Sequence, residues 1–164
     1  MLSGTAFLES MNQEGQRRIL DYYEPKESFT RKCFPDVEGV CYVISRSGCQ
    51  IAFLNDRKLS SAYKKYEKRG QLLEEILMGT QKRALMHADV LGQKTLRQKL
   101  MTYFQFLNRQ KGRDGFSLPF SYTDCADYLF VDRSAMMREL GRMKEEGLIR
   151  TEGKKIWLEE KKLR

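Results

Sequence analysis

Residues 121 to 149 read SYTDCADYLFVDRSAMMRELGRMKEEGLI, two short amphipathic segments with only three or four residues between them. So short a connection leaves room for little except a tight helical pair. Ser121 or Thr123 can cap a first helix over TDCADYLF, with Ala126 and Leu129 facing inward. Asp132 caps the second, because its carboxylate can accept the otherwise unpaired backbone N–H of Ala135. On that second helix Ala135, Met136, Leu140 and Met143 fall near one face, and Arg133, Ser134, Met137, Arg138 and Gly141 lie away from it. An apolar face and an arginine-bearing face near the N-terminus of a second helix describe a helix-turn-helix.

The placement of the arginines suits base recognition. A guanidinium is a planar fork of donors matching guanine O6 and N7 in the major groove, and each such pair discriminates by about 1 to 3 kcal/mol. Arg133 and Arg138 are five residues apart, roughly 140° around a helix, so they reach different points of the groove. Ser134 is small enough to allow close approach. Downstream, GLIRTEGKKIWL sets apolar residues on either side of TEGKK, which predicts a two-stranded hairpin with Lys154 and Lys155 at its tip. Such a hairpin is either a wing for phosphate contact or a terminal ribbon packing Trp157 on the helices, and the two readings are compatible.

Upstream the pattern is different. GTAFLES, RRILDYYE, GVCYVIS and CQIAFL are short, β-prone and separated by turn-like segments, which predicts an antiparallel sheet or roll over residues 1 to 57. From about Leu59 a helix is expected, with Gly70, Leu73, Leu77, Thr80, Ala84, His87 and Leu91 alternating at spacings of three and four. That heptad seam either pairs with a copy of itself or lies on the chain's own core. The single histidine, His87, reads as a packed or partner-bonded side chain. A further helix starts near Thr95 as N-cap, buries Leu96, Leu100, Tyr103, Phe104 and Leu107, and ends at KGRDG. Pro119 makes FSLPF an edge segment or connector.

Charge and cysteine usage narrow the function classes. The net charge of +8 is all in the later part: residues 1 to 57 hold seven Lys/Arg against eight Asp/Glu, 58 to 94 eight against four, and 95 to 164 fifteen against ten. That distribution favours a polyanionic partner for the C-terminal region. Cys33, Cys41, Cys49 and Cys125 form no CxxC pair and read as packed side chains, so neither a metal site nor a cofactor is expected. With one histidine, no glycine-rich phosphate loop and no clustered carboxylates, no catalytic constellation is found and an enzyme is not expected. No signal peptide or apolar run of membrane length occurs, so the chain reads as soluble and cytoplasmic, with no membrane partner.

TLRQKLMTYF and FSLPFSYTDCADYLFVDRSAMMRELGRMKEEGLIR resemble the C-terminal DNA-binding domain of the Crp/Fnr family of bacterial transcription regulators, with LPFS, ADYL, VDRSA, REL and MKEEGLI in the family's order and spacing. The match covers about residues 94 to 158. The preceding helix is similar to the family's dimerisation helix, and LSGTAFLES, GQRRILDYYEPKESF and CQIAFL resemble later strands of its cyclic-nucleotide-binding-like β-roll. The expected fold is therefore α+β: a partial antiparallel β-roll over 1–57, a long dimerisation helix region over 58–93, and a winged helix-turn-helix over 94–164.

The resemblance implies double-stranded DNA and a second copy of the chain as partners, with RNA polymerase as a further one. It puts base reading on Arg133, Ser134 and Arg138. Backbone contact falls on Ser121, Thr123, Asp132, Ala135, Lys154 and Lys155, and the dimer seam on Leu73, Leu77, Thr80, Ala84, His87 and Leu91. The family's early strands would lie before Met1, so either the sensor is reduced or translation begins upstream. Its phosphate-binding cassette is not matched by TRKCFPDVEG after Phe29, so a cyclic nucleotide is not expected. The family's glycine in the interhelical turn is Phe130 here, which either costs on the order of 1 kcal/mol in a left-handed conformation or forces another turn. The alternative function is a ligand- or partner-binding module that has lost specific DNA binding.

Overall fold

The computed structural model describes residues 1–12, 14–29, 40–53, 67–112 and 114–159. The chain is α+β: strands β1 (Ala6–Met11), β2 (Arg17–Tyr23) and β3 (Val40–Ile44), helices α1 (Glu67–Gly92) and α2 (Leu96–Lys111), strand β4 (Phe116–Ser117), helices α3 (Tyr122–Leu129) and α4 (Arg133–Glu145), and strands β5 (Ile149–Glu152) and β6 (Lys155–Leu158). Two compact units result, Met1–Leu85 and Met86–Arg164. Helix α1 contributes residues to both. Among the described residues no helix is long and apolar enough to cross a membrane.

In the first unit β1 is the middle strand of an antiparallel sheet ordered β2-β1-β3. Ala6, Leu8 and Tyr23 form its core, with Leu20, Phe29, Cys41 and Val43 packed against them. Residues alternate faces along a strand, yet Phe7 and Glu9 on the opposite face are buried too. Glu9 is charged and enclosed, and it is held by Arg17 at 3.3 Å and by Arg46. The expected fourth strand, CQIAFL, contracts to the single bridge Ser3–Gln50. Gly4 turns the chain at φ 79° directly after that bridge, and Phe53 is 89% exposed, so the described part of the run neither continues the ladder nor buries its apolar end. The cassette region 30–39, with Cys33, and the expected start of the long helix lie outside the described residues.

The second unit is built on α2. Thr95 and Gln98 form a reciprocal capping box at its start, Arg109 and Lys111 complement the carbonyl end, and Gly112 closes it at φ 100°. Its inner stripe, Leu100, Tyr103, Phe104 and Leu107, is fully buried. Tyr103 lies 5.3 Å from Tyr128 and 6.3 Å from Phe120, and Phe104 lies 5.6 Å from Phe116, all between ring centroids. Strands β4, β6 and β5 close the unit as an antiparallel sheet in that order. Gly115 is required here: at φ 83° a Cβ would meet Trp157 Nε1 at 2.6 Å. Cys125 is buried, its thiol pushed up to about 12 by desolvation, and Cys41 and Cys49 are half-buried.

Helix α1 exposes the expected seam positions unevenly. In the first unit Arg83 reaches Asp21 at 3.3 Å and Glu27 at 3.2 Å. In the second, His87 and Val90 are buried. Within the second unit the spacing of three puts His87 and Val90 on one stripe, turned to that unit's own packing. His87 is therefore not on an open seam, and Thr80 is half-buried with its hydroxyl donating to Ile76 O at 3.0 Å. The exposed heptad is the neighbouring one: Leu77, Gln81, Ala84 and Ala88, with Met78 and Leu85 beside it. Leu77, Ala84 and the half-buried Leu91 are common to both registers, and the Leu73 side chain lies outside what is described.

Candidate nucleic-acid interface

Ser121 is the N-cap of α3, its hydroxyl accepting from Asp124 N at 3.1 Å while donating to Asp124 Oδ2 at 2.6 Å. Cys125, Ala126, Tyr128 and Leu129 bury the inner face. The helix ends at Phe130, whose φ of 55° and ψ of 51° are left-handed, and the N–H groups of Phe130 and Val131 both donate to Ala126 O. Of the two outcomes open to a phenylalanine in this turn, the chain takes the glycine-like one. Asp132 then caps α4 as expected, Oδ1 accepting from Ala135 N at 2.7 Å. Met136, Leu140 and Met143 are buried, which fixes the rotation of α4 about its axis.

That rotation leaves Arg133, Ser134 and Arg138 exposed, along with Met137, which is 38% exposed. Among the described residues, neither the Arg133 nor the Arg138 guanidinium has an ion-pair or hydrogen-bond partner. The neighbouring arginines differ. Arg97, in the first turn of α2, donates from Nε to Glu139 at 2.5 Å and grips Glu146 with both Nη atoms at 2.6 and 2.7 Å. Arg142 sits 3.5 Å from Glu139, and Arg150 lies 3.8 Å over the Trp157 ring. Two carboxylates on or beside α4 are thereby neutralised, leaving Arg133 and Arg138 as uncompensated charge at the exposed N-terminal half.

The six positions expected to contact a nucleic-acid backbone divide in two. Thr123, Lys154 and Lys155 are exposed and carry donors. Ser121, Asp132 and Ala135 are engaged instead in capping, since the Asp132 carboxylate holds the Ala135 N–H and the Ser121 hydroxyl is tied to Asp124. The wing is a hairpin in which Glu152 pairs with Lys155 around Gly153 at φ 55° and Lys154. Leu118 N donates to Lys154 O at 3.0 Å and Tyr122 OH to Gly153 O at 2.9 Å, which fastens the tip to the start of α3. Lys155 Nζ lies 4.8 Å over Trp157, so the tryptophan both packs and supports the basic tip.

Three supporting residues are invisible to sequence reasoning. Arg97 acts on partners 42 and 49 residues away. Lys99 Nζ reaches Leu129 O at 3.4 Å, and His87 Nε2 lies 2.7 Å from Tyr128 O. Only long-range contact reveals these pairs; periodicity ranks His87 as one seam position among seven.

Residues 98–164 match the Crp-like helix-turn-helix domain family. Over 165 aligned residues the chain is 24% identical to the transcriptional activator protein FnrL of Cereibacter sphaeroides, covering 94% of this chain and 65% of that relative. Among solved structures it is similar to FixK2 from Bradyrhizobium japonicum, with a TM-score of 0.70, 20% identity, and coverage of 96% of this chain and 79% of the other. A mutant of CooA from Carboxydothermus hydrogenoformans gives a TM-score of 0.74 at 15% identity, covering 96% of this chain and 72% of the other. The described residues share the fold of these structures, and the chain spans 65% of the length of the FnrL relative.

Proposed function

We propose that this chain, whose residues 98–164 match the Crp-like helix-turn-helix domain family, is a regulator of the Crp/Fnr kind: a sequence-specific DNA-binding transcription regulator that works as a homodimer on a near-palindromic site. The observation that carries the reading is the sorting of the arginines: Arg133 and Arg138 are exposed and unpartnered among the described residues, while Arg97 and Arg142 are engaged with glutamates. Arg133 and Arg138 read base edges, and Ser134 between them allows close approach. Thr123, Lys154 and Lys155 supply phosphate contacts and the salt-dependent part of the affinity. Pairing of two α1 helices along Leu77, Gln81, Ala84 and Ala88 sets the two readers about 34 Å apart, one turn of DNA. RNA polymerase is the partner through which such a regulator acts on transcription.

The test is selection from random duplexes by the full chain, followed by Arg133→Ala and Arg138→Ala. Each variant is expected to lose about 1 to 3 kcal/mol of discrimination at one base position per half-site. If both variants still choose the original sequence, these residues are not the readers. Phe130 keeps the left-handed backbone that a glycine takes in such a turn, which favours this reading over a module that has lost specific DNA binding.

A further inference from the structure

We propose that His87 is a positioning residue for the recognition helix: from the last turns of α1 it clasps the end of α3 and, through Phe130, fixes the direction in which α4 leaves the turn. The last carbonyls of a helix have no partner within it. In α3, Ala126 O is satisfied by the N–H groups of Phe130 and Val131, and Leu129 O receives Lys99 Nζ. Tyr128 O faces His87 Nε2 at 2.7 Å, and because a carbonyl only accepts, that nitrogen carries the hydrogen. The same imidazole stacks on the Tyr128 ring, with centroids 3.9 Å apart and planes 4° from parallel, and meets the Phe130 ring edge-on at 5.8 Å.

Three contacts from one side chain thus converge on residues 128 to 130, and Asp132, the cap of α4, follows two residues later. Phe130 alone disfavours its left-handed backbone. A ring that packs on it and a donor that holds the carbonyl two residues earlier keep the chain there. A glycine turn needs neither. The clasp is therefore what this sequence uses where an unstrained glycine would serve, and it makes the aim of Arg133 and Arg138 depend on α1.

The inference rests on the proposed DNA reading only for its second readout. The first is amide hydrogen exchange in the full-length chain. His87→Ala should speed exchange at Val131 and Ala135 about tenfold or more while amides in the middle of α2 keep their protection. His87→Gln, which retains a donor, should restore part of that protection. Adding Phe130→Gly to His87→Ala should restore most of it, because glycine holds the turn without help. The second readout is the ratio of affinities for the selected duplex and a random one: His87→Ala should lower it about tenfold, the scale of one mismatched base pair, and the added Phe130→Gly should recover it. Unchanged exchange at the turn, a rise spread evenly over the whole unit, or failure of both rescues would overturn the role. If the turn loosens as expected but the parent chain selects no duplex, the proposed function fails and the clasp stands.

Discussion

Between Met86 and Arg164 the interior is Leu100, Tyr103, Phe104, Leu107, Leu129, Met136 and Met143, with His87 and Asp124 as the buried polar side chains among the described residues. Between Met1 and Leu85 the apolar cluster is smaller, and charges share the enclosed space: Glu9 between Arg17 and Arg46, and Asp21 with Glu27 around Arg83. An apolar interior is sensitive to volume, because a deleted side chain leaves both lost transfer energy and a cavity. A paired-charge interior is sensitive to which partner is removed and to pH. Helix α4 is thus mounted on an aromatic block, and the sheet of the first unit is held by contacts that a change of protonation reaches.

The strongest way to break this contrast is in the aromatic block. Phe104→Ala removes a fully buried ring facing Phe116 and Tyr103 and is expected to cost about 3 to 5 kcal/mol. Urea unfolding followed through Trp157 measures it, since the chain's one tryptophan lies in this unit. A loss below about 1 kcal/mol would mean that the block collapses around the gap and is not tightly packed.

In the sheet the matching change is Arg83→Met. Its side chain is 13% exposed, against 17% for Asp21 and 31% for Glu27, and the guanidinium also lies 5.3 Å over the Tyr23 ring. Because these groups still touch water, the expected cost at about pH 7 is about 2 kcal/mol, less than for a fully buried pair. Burial raises the Asp21 carboxyl above its ordinary value of 3.8 even with Arg83 attracting it. A carboxyl raised in the folded state contributes stability at pH below its unfolded value, and that contribution is lost as pH rises through the folded value. Without Arg83 the rise is greater, so the deficit of Arg83→Met should shrink as the pH is lowered from about 7 to about 4. Stability curves of parent and variant at the two pH values decide this, and a deficit that stays constant means Asp21 is not the group left exposed to the change.

How much of this was legible in the sequence follows the same division. The caps Thr95 and Asp132 and the buried stripe of α2 were readable because cap chemistry and helical period act over a few residues. The exposed, arginine-bearing face of α4 was readable for that reason too. The period of α1 was legible but not which of its faces is covered: Leu77 and Ala84 fit two adjacent heptads, and the long-range contact that buries His87 in its own chain leaves no trace in the spacing. The fourth strand failed because β-propensity says nothing about whether a partner continues alongside, and here pairing stops at Gln50. Phe130 was legible as a conflict, but its solution, a histidine 43 positions earlier in the sequence, was not.

Smaller than either is the effect expected at the cap of α4. Asp132→Ala removes the acceptor for Ala135 N and should cost about 1 kcal/mol. It leaves the aromatic block intact, so thermal unfolding should remain a single cooperative loss of Trp157 signal at a lower midpoint. Asp132→Asn, which also accepts from that N–H, should retain most of the stability. If asparagine is as damaging as alanine, negative charge at the positive end of α4 matters more than the hydrogen bond.

The smallest effect is expected at Phe130 itself. Replacing it with glycine relieves a left-handed conformation worth about 1 kcal/mol but gives up the edge-on contact with His87 and frees the unfolded chain. These contributions oppose each other at similar size, so Phe130→Gly should change stability by less than about 0.5 kcal/mol in either direction. A stabilisation well above that would mean the aromatic contact contributes little and the turn is strained as it stands. A marked destabilisation would mean that the ring, 38% exposed as it is, belongs energetically to the aromatic block. The boundary between the packed interior and the exposed face of α4 would then lie further out, at Val131 and Asp132.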